Sequence, residues 1–316
     1  MPSNSRVAVT SLSFTKSTAL RKKLQQKFPN CFFNESGHTL SGPELVDFLK
    51  SANAAIVGPE TINASVLENT PKLKIISKYG VGLENIDQKA LKNHNVALGW
   101  EGGVNFRSVS ELTLCFMLGL CRNIFGSGFK LKCSEWEKQG GQQLTGKTVG
   151  IIGCGHIGSD VARLLAPFQC TVLVRDIVDK SDFCFENGAS EAGFEEMLKR
   201  SDIITLHVPL TKLTRKMIDE SFLQKMRSTA FLINTSRGKV VDQNALKTAL
   251  QRGDIAGAAL DVFSEEPPSD EEFLSLPNLM VTPHIGGNAK EAVETMGCSA
   301  IDHLVSFFAN PSAKDQ

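Results

Sequence analysis

The sequence predicts an α/β protein made of two Rossmann-like domains with doubly wound parallel sheets. Its length of 316 residues fits about two domains. Short apolar runs alternate with helix-like segments along the chain, a pattern typical of parallel sheets covered by helices. A glycine-rich turn at 153–158 lies between two such runs, as in a dinucleotide-binding βαβ unit.

The composition excludes several classes of partner. The net charge is zero and no basic patch is present, which argues against nucleic acids and anionic membranes. The longest apolar stretch, 114–121, is far shorter than the roughly 20 residues of a membrane span. The eight cysteines form no C-x-x-C pair and no metal-ligand cluster, which is typical of a reducing compartment. We therefore expect a soluble cytoplasmic protein without a metal site.

The first hundred residues predict a parallel α/β sheet without a strong phosphate-binding loop. The helical segments Thr18–Phe28 and Pro43–Ser51 have apolar residues at three- and four-residue spacing, and Pro43 suits a first helical turn. Four apolar runs are predicted strands: Val7–Val9, Ala54–Val57, Leu73–Ser77 and Val96–Leu98.

A glycine-containing turn follows the third of these strands, at Lys78–Asp87. Gly80 and Gly82 can expose backbone N–H groups to which a small anion could bind. On local grounds a plain turn is an equally good interpretation.

The segment Asn105–Arg122 predicts a helix that is apolar almost all round. Such a helix is buried, either between domains or in a subunit interface. The following segment, Gly126–Gly141, has no clear period and predicts an arm or a loop. We expect Trp136 to be its packing anchor.

The glycine-rich turn predicts a dinucleotide site. Gly153 allows a tight turn out of the strand, Gly155 lets a pyrophosphate approach the backbone, and Gly158 lets helix and strand pack closely. Asp176 ends the next apolar run, about where a carboxylate would accept hydrogen bonds from the adenosine ribose. The alternative is a βαβ turn without a ligand.

Asp176 also favours NAD over NADP, because a carboxylate accepts from a 2′-hydroxyl but repels a 2′-phosphate. Arg175 and Lys180 lie nearby and could tolerate a phosphate. Charged residues at such positions more often lie in solvent at the edge of a binding site.

Six strands in all are predicted from Thr148 onward, which fits a doubly wound dinucleotide domain. They are Thr148–Ile152, Thr171–Val174, Asp202–His207, Ala230–Ser236, Ala256–Val262 and Leu279–Pro283. A last amphipathic helix, Lys290–Phe308, is expected to pack on the N-terminal half.

Three polar residues follow the last three predicted strands: Arg237, Glu266 and His284. Ligands of open α/β sheets bind beyond the carboxyl ends of the strands. A histidine can exchange a hydroxyl proton, a carboxylate can favour its imidazolium, and an arginine can grip a substrate carboxylate. Each residue alone could be a surface group, but together they predict hydride transfer to or from a 2-hydroxy acid. Among the other histidines, we expect His207 to line the adenine side, and His156 lies in the glycine-rich turn. The remaining three have no partner cluster: His38, His94 and His303.

Several motifs together resemble one family, the D-isomer-specific 2-hydroxyacid dehydrogenases, and within it the phosphoglycerate-dehydrogenase-like members. The resemblance covers nearly the whole chain. Its motifs are Gly80–Asp87, Asn105–Glu111, Gly150–Gly158, Leu206–Thr211, Asn234–Gly238, Asp261–Phe263 and Thr282–Gly287.

The resemblance implies Arg237, Glu266 and His284 as the catalytic trio, and the backbone of Val81 and Gly82 as the holder of the substrate carboxylate. It implies that Asp261 contacts the nicotinamide carboxamide. The full set expected at the NAD site is Gly153, Gly155, His156, Ile157, Gly158, Asp176, His207, Val208, Pro209, Thr235, Ser236, Asp261 and Gly286.

The resemblance also implies a discontinuous, flavodoxin-like substrate domain, residues 1–101 plus 288–316, and an NAD-binding Rossmann domain, residues 102–287. Members of the family are usually dimers built through the cofactor domain. An all-round apolar helix suits such a homodimer.

Two residues depart from the family pattern. Lys78 stands where phosphoglycerate-type members often have arginine, and Glu101 stands where relatives often have threonine or another small residue near the nicotinamide. We take Lys78 and Arg107 as candidates for a phosphate contact. No regulatory domain follows the last helix, so feedback by serine through such a domain is not expected.

The functional expectation is an NAD-dependent dehydrogenase of a small D-2-hydroxy acid, with 3-phosphoglycerate as one candidate. A glyoxylate or hydroxypyruvate reductase is an alternative within the same chemistry. A non-catalytic NAD(H)-sensing protein that keeps the trio is an alternative from another class. Formate oxidation is disfavoured, because relatives with that activity usually have glutamine in place of Glu266.

Overall fold

The computed structural model describes residues 5–309, which fold as two compact units. One unit contains residues 5–105 and 288–309, and the other contains residues 106–287. The boundaries expected from the resemblance are 101/102 and 287/288.

The first unit is built on a five-stranded, all-parallel sheet in the order β2-β1-β3-β4-β5. This is the flavodoxin-like doubly wound order, as the fold class predicts. The strands are β1 Val7–Val9, β2 Cys31–Phe33, β3 Ala54–Val57, β4 Ile75–Lys78 and β5 Ala97–Gly99. Strand β2, a half-exposed strand at the edge of the sheet, was not among the predicted strands.

Side chains alternate between the two faces of this sheet, as the period of a strand requires. Val7, Val9 and Ile56 face one hydrophobic cluster, whereas Ala8 and Val57 face the other. Helices cover both clusters. They are α1 Leu12–Lys16, α2 Thr18–Lys27, α3 Gly42–Leu49, α4 Ala64–Glu68, α5 Gln88–Asn93 and α14 Lys290–Ala309.

Local signals set where these helices begin. The side chains of Ser17, Asn63 and Asp87 accept hydrogen bonds from backbone N–H groups in the first turns of α2, α4 and α5. Pro43 lies in the first turn of α3. The last helix, α14, packs on the sheet, and the Ser77 hydroxyl donates to the Ala300 carbonyl at 2.8 Å.

The second unit contains a seven-stranded parallel sheet in the order β12-β11-β10-β9-β6-β7-β8. Its first six strands in chain order follow the dinucleotide-binding arrangement 3-2-1-4-5-6. The strands are β6 Thr148–Ile152, β7 Thr171–Arg175, β8 Ser190–Glu191, β9 Ile203–Leu206, β10 Phe231–Asn234, β11 Gly257–Leu260 and β12 Leu279–Val281. The prediction of six strands was wrong by one. The missed strand, β8, has two exposed residues at the sheet edge and therefore leaves no apolar run in the sequence.

Eight α-helices of this unit connect and cover the strands among the residues described. They are α6 Phe106–Cys121, α7 Ile124–Lys132, α8 His156–Leu165, α9 Ser181–Asn187, α10 Phe194–Arg200, α11 Glu220–Lys225, α12 Gln243–Arg252 and α13 Glu271–Leu274. The helix predicted over 105–122 corresponds to α6. Its buried side, including Val109, Phe116 and Met117, packs within the unit, and Cys115 on its other side is exposed.

The segment after α6 corrects one prediction. Trp136 is 76 % exposed and is no packing anchor within this chain. In α7 no residue is buried, and Phe129 is 70 % exposed. No single helix among residues 5–309 is long and apolar enough to cross a membrane. Only α6 and α7 taken together reach that length, and they are bent by 66°.

Candidate active site

Three neighbouring strands of the second unit bring Arg237, Glu266 and His284 to one edge of the sheet. Each residue lies in the loop that follows β10, β11 or β12, and these strands are hydrogen-bonded in that order. Because the strands are parallel, the loops share the carboxyl edge, where ligands bind in such sheets.

A short hydrogen bond joins the histidine to the carboxylate. Nδ1 of His284 lies 2.7 Å from Oε2 of Glu266, and both side chains are partly exposed. The other carboxylate oxygen accepts the N–H of Phe263 at 3.0 Å. The carboxylate is thereby fixed from both sides and orients the imidazole.

This pairing shifts both pKa values. The hydrogen bond that His284 donates to Glu266 and the charge of this carboxylate raise the pKa of His284 above 6.5, against the opposing effects of burial and of the Arg237 charge. Burial alone would raise the pKa of Glu266, but hydrogen bonds from His284 and the Phe263 N–H outweigh it and bring the pKa below 4.5. The pair therefore favours an imidazolium beside a carboxylate.

Arg237 is held by a turn that Asn234 organises. The buried Asn234 side chain accepts from the N–H of Ser236 at 3.0 Å and donates to the Arg237 carbonyl at 3.0 Å. The Arg237 guanidinium donates to the Ser236 carbonyl at 2.8 Å. Its charge acts on both Glu266 and His284. The sequence analysis included Asn234 in a motif but gave it no role.

A glycine lets the first two loops meet. A Cβ atom on Gly238 would lie 1.9 Å from the backbone carbonyl atoms of Phe263. No larger residue fits without moving one of the loops. Gly238 therefore brings the loop of Arg237 against the loop of Glu266.

Asp261 shapes the loop that carries His284. Its buried carboxylate accepts from the Thr282 hydroxyl at 2.6 Å and from the N–H groups of Ile285 and Gly286 at 2.7 Å each. Its carbonyl accepts the N–H of His284 at 2.8 Å. The expected role was a contact to the nicotinamide. In this structure both carboxylate oxygens are engaged by the 282–286 loop, a role that the sequence did not suggest.

The glycine-rich turn joins β6 to α8, and its three glycines have different surroundings. Gly153 has φ +91°, and a Cβ there would lie 2.4 Å from the His207 carbonyl oxygen. A Cβ on Gly158 would lie 2.0 Å from the Gly153 carbonyl oxygen. Around Gly155, the N-cap of α8, no atom lies within 4 Å of the Cβ position. The turn thus has open space for a pyrophosphate at a helix N-terminus.

Asp176 follows β7 next to this turn. Its carboxylate accepts the N–H of Cys154 at 2.7 Å and that of Val178 at 3.0 Å. Burial opposes ionisation, but these bonds and the Lys180 charge outweigh it, and the pKa of Asp176 lies below 3.8. Arg175 instead lies over the Phe194 ring, 5.5 Å from its centroid. A negative charge beside the turn suits a ribose diol better than a phosphate.

His207 lies behind the turn in a neutral form. Nε2 is 3.0 Å from the Thr205 hydroxyl, and the buried Nδ1 has no hydrogen-bond partner among the described residues. Burial lowers the pKa of His207 to about 3. Val208 and Pro209 follow it at the carboxyl edge. An orphaned ring nitrogen beside an open glycine turn fits a site that a polar cofactor completes.

The remaining expected cofactor contacts lie along the same edge. The Thr235 and Thr113 hydroxyls are 2.9 Å apart, and Ser236 is buried in the Asn234 turn. Gly286 is buried, and its carbonyl accepts from the Ser108 hydroxyl at 2.5 Å. His156 and Ile157 begin α8.

The two candidates for a phosphate contact have protein partners. Arg107 pairs with the buried Asp160 at 2.8 Å within the second unit. In the first unit, Nζ of Lys78 donates to the Gly58 carbonyl at 2.5 Å and to Oδ1 of Asn85 at 3.0 Å. Both cations therefore already bind protein groups in this structure.

The loop after β4 presents the two expected carboxylate-binding N–H groups. Gly80 has φ +116°, and the N–H groups of Val81 and Gly82 are not hydrogen-bonded to any group of residues 5–309. The Val81 carbonyl accepts from the Trp100 indole at 3.0 Å. The backbone donors are therefore available to an anion.

Comparison with known proteins identifies the family. The model of the family described as D-isomer specific 2-hydroxyacid dehydrogenase, NAD binding domain, matches residues 114–286. The chain is 40 % identical over 257 residues to a glyoxylate reductase of Thermococcus litoralis, covering 78 % of each protein. It is 37 % identical over 269 residues to a D-3-phosphoglycerate dehydrogenase of Methanocaldococcus jannaschii, covering 84 % of this chain and 51 % of that protein.

A solved structure agrees with this result. The D-lactate dehydrogenase of Aquifex aeolicus, complexed with NAD and lactic acid, matches with a TM-score of 0.83 and 27 % identity over 96 % of this chain and 95 % of that one. The cofactor of this chain is NAD, and the chain is an oxidoreductase that acts on CH–OH groups. It belongs to the family of D-isomer-specific 2-hydroxyacid dehydrogenases.

Proposed function

We propose that this protein reduces a small, unphosphorylated 2-oxo acid such as glyoxylate or hydroxypyruvate to the D-2-hydroxy acid. The observation that carries the proposal is the Glu266–His284 pair beside Arg237 on three neighbouring strand ends. The glycine turn and Asp176, on the same carboxyl edge, would hold NAD(H). When bound, NADH supplies the hydride.

The proton comes from His284 in this proposal. Because Glu266 accepts from Nδ1, the proton that the substrate receives is carried on Nε2. Glu266 stabilises the imidazolium before transfer and orients the ring. The carbonyl carbon gains the hydride and its oxygen gains the proton, which leaves a hydroxyl group. The reverse reaction returns the proton to Nε2.

Two groups hold the substrate in this proposal. The planar guanidinium of Arg237 grips the carboxylate and polarises the carbonyl. The N–H groups of Val81 and Gly82 bind the carboxylate through the backbone. Both expectations come from the family resemblance, and the available N–H groups of this loop support them.

The preference for an unphosphorylated acid rests on charge. Lys78 and Arg107, the cations considered for a phosphate, are committed to protein groups. Glu101 adds a negative charge next to Trp100, whose indole is bonded to the carboxylate loop, and its own carboxylate accepts from the Ser299 hydroxyl at 3.1 Å. A second anionic group on the substrate would be repelled there.

The test is oxidation of NADH by the purified protein with glyoxylate, hydroxypyruvate, pyruvate, 2-oxoglutarate and 3-phosphohydroxypyruvate. We expect turnover on the small unphosphorylated acids, and a loss of about 100-fold or more in His284→Ala. A strong preference for 3-phosphohydroxypyruvate would overturn the substrate assignment. Tight NADH binding with no turnover on any acid would favour an NAD(H)-sensing protein.

We also propose that the protein is a homodimer formed through the second unit. Large apolar side chains of α7 and the following segment are exposed, and burying such a patch stabilises an association. They are Ile124, Phe125, Phe129, Leu131 and Trp136. Light scattering should give twice the mass of the chain for the wild type and the mass of one chain for the double variant Phe129→Asp/Trp136→Asp. A monomeric wild type would overturn this proposal.

A further inference from the structure

Lys78 is a buried cation at the end of β4, just before the loop that presents Val81 and Gly82. Its side chain is 8 % exposed, and Nζ donates to two acceptors: the Gly58 carbonyl at 2.5 Å and Oδ1 of Asn85 at 3.0 Å. A buried ammonium needs such partners, because losing water without replacing its hydrogen bonds is costly.

Lys78 and Asn85 are the two ends of the loop. Lys78 is the last residue of β4, and Asn85 lies seven residues later, beyond the apex. Their hydrogen bond closes residues 79–84 into a ring. The Lys78 side chain passes close to Gly80, since a Cβ on Gly80 would lie 3.8 Å from its Cε atom.

The far end of the ring is anchored on the turn after β3. The Asn85 amide donates to the Gly58 carbonyl at 3.0 Å and to the Glu60 carbonyl at 2.6 Å. The Glu60 carboxylate, itself buried, accepts from the Gly58 N–H and from the Thr10 hydroxyl, at 2.7 Å each. The Gly58 carbonyl thus accepts hydrogen bonds from both Lys78 and Asn85. Together with the Glu60 carboxylate, these side chains hold the turn after β3.

We propose that Lys78 and Asn85 form a clamp that preforms the 79–84 loop for the substrate carboxylate, and that Lys78 does not contact the substrate. Lys78 is then a positioning residue, and its charge, held where the two ends of the loop meet, favours an anion bound by the loop. This inference rests on the proposed function, because it assigns a role in carboxylate binding to the same loop.

The proposal separates positioning from direct contact. If Lys78 positions the loop, Lys78→Met should raise KM by about the same factor, roughly tenfold, for glyoxylate, hydroxypyruvate and 3-phosphohydroxypyruvate, with kcat nearly unchanged. Binding of NADH should be unaffected. If Lys78 instead contacted a phosphate, only the phosphorylated acid would lose kcat/KM, and that result would overturn the proposal.

A matched control and a coupled variant sharpen the test. Lys74, an exposed lysine just before the same strand, provides the control Lys74→Met, which should leave KM unchanged. Asn85→Leu should reproduce the effect of Lys78→Met, and the double variant should add little more, because both remove one clamp. Fully additive losses would overturn the clamp. Asn85→Ala removes the same hydrogen bonds with a smaller side chain and serves if Asn85→Leu does not fold.

Hydrogen exchange gives a readout that does not need turnover. Amide exchange of peptides covering 79–84 should accelerate in Lys78→Met and not in Lys74→Met. Unchanged exchange in a folded Lys78→Met would overturn the clamp whatever the kinetics. If the wild type reduced no 2-oxo acid while exchange still accelerated, the proposed function would fail, the clamp would stand as loop structure, and its role in substrate binding would be overturned.

Discussion

Nδ1 of His284 lies 2.7 Å from Oε2 of Glu266, and the two residues belong to loops after adjacent strands. The proximity is set by main-chain and buried polar contacts around them. Asp261 holds the loop of His284, and Gly238 and the Phe263 N–H hold the loops around Glu266. The protonation state of the histidine is therefore a property of the folded loop pair.

Removing the carboxylate should move the pH profile of reduction. Glu266 raises the pKa of His284, and reduction needs the imidazolium, so kcat/KM falls as pH rises through this raised pKa. In Glu266→Gln the fall should begin at lower pH, and the loss should be greatest on the alkaline side. The exposed neighbour provides the control Glu265→Gln. An unshifted profile in an active Glu266→Gln would contradict this assignment.

Asp176 should control the choice between NADH and NADPH. In Asp176→Ala the repulsion of a 2′-phosphate is gone, so the ratio of kcat/KM for NADPH to that for NADH should rise by about tenfold or more. Asp179→Ala removes a nearby exposed carboxylate and should leave the ratio unchanged. Steady-state kinetics with NADPH and with NADH measure this ratio of kcat/KM values. Equal ratios in the wild type and Asp176→Ala would show that the carboxylate does not face the ribose.

His207 should weaken the fold in acid. Burial lowers the pKa of His207 to about 3, so below pH 6.5 the unfolded chain binds a proton that the folded chain does not. This group then lowers the free energy of unfolding by about 1.4 kcal/mol per pH unit as the pH falls from 6.5 toward 3, and contributes nothing above 6.5.

The variant His207→Gln should lose this acid-dependent part, as measured by urea unfolding between pH 4 and 7. The exposed His94 gives the control His94→Gln. His284 acts in the opposite direction, because its raised pKa adds stability below 6.5 that is lost as pH rises through that pKa. An unchanged slope in His207→Gln would mean that the ring is hydrated.

Gly238→Ala should separate the loops of Arg237 and Glu266. The new Cβ would lie 1.9 Å from the Phe263 carbonyl atoms, so the backbone must shift. We expect a loss of about 2 kcal/mol in the free energy of unfolding and a fall in kcat/KM of more than tenfold. Gly193→Ala is the control, since no atom lies within 4 Å of its Cβ position. Thermal unfolding and kinetics together decide the outcome.

The fold class and the position of the trio followed from patterns that are local in the sequence. Apolar strands, the 153–158 turn and the polar residues after each strand can all be recognised within a few neighbours. Two edge strands could not be recognised in this way. Cys31–Phe33 is apolar but has only three residues, which is too short to show a period, and Ser190–Glu191 consists of two exposed polar residues. Trp136 was expected to be the packing anchor of its segment, although it lies at the surface.

The supports of the site were harder to predict than the site itself. The contact between Asp261 and the N–H groups of Ile285 and Gly286 spans more than twenty residues. The hydrogen bond from Ser108 to the Gly286 carbonyl spans far more. Such contacts depend on how strands pair, and a strand register cannot be read from residue types alone. Lys78 shows the same limit, since its sequence position suggested a ligand contact and its burial assigns it to the loop.

The way in which Asp261 holds the histidine loop has a consequence for how this enzyme could diverge or be redesigned. At Ile285 the carboxylate accepts from a main-chain N–H group, which every residue except proline possesses, so this hydrogen bond does not depend on the side chain at position 285. Ile285 is 41 % exposed and can be exchanged for residues of other size or charge. Selectivity for new acids can therefore be varied at position 285 while the backbone of the loop that carries His284 keeps its conformation.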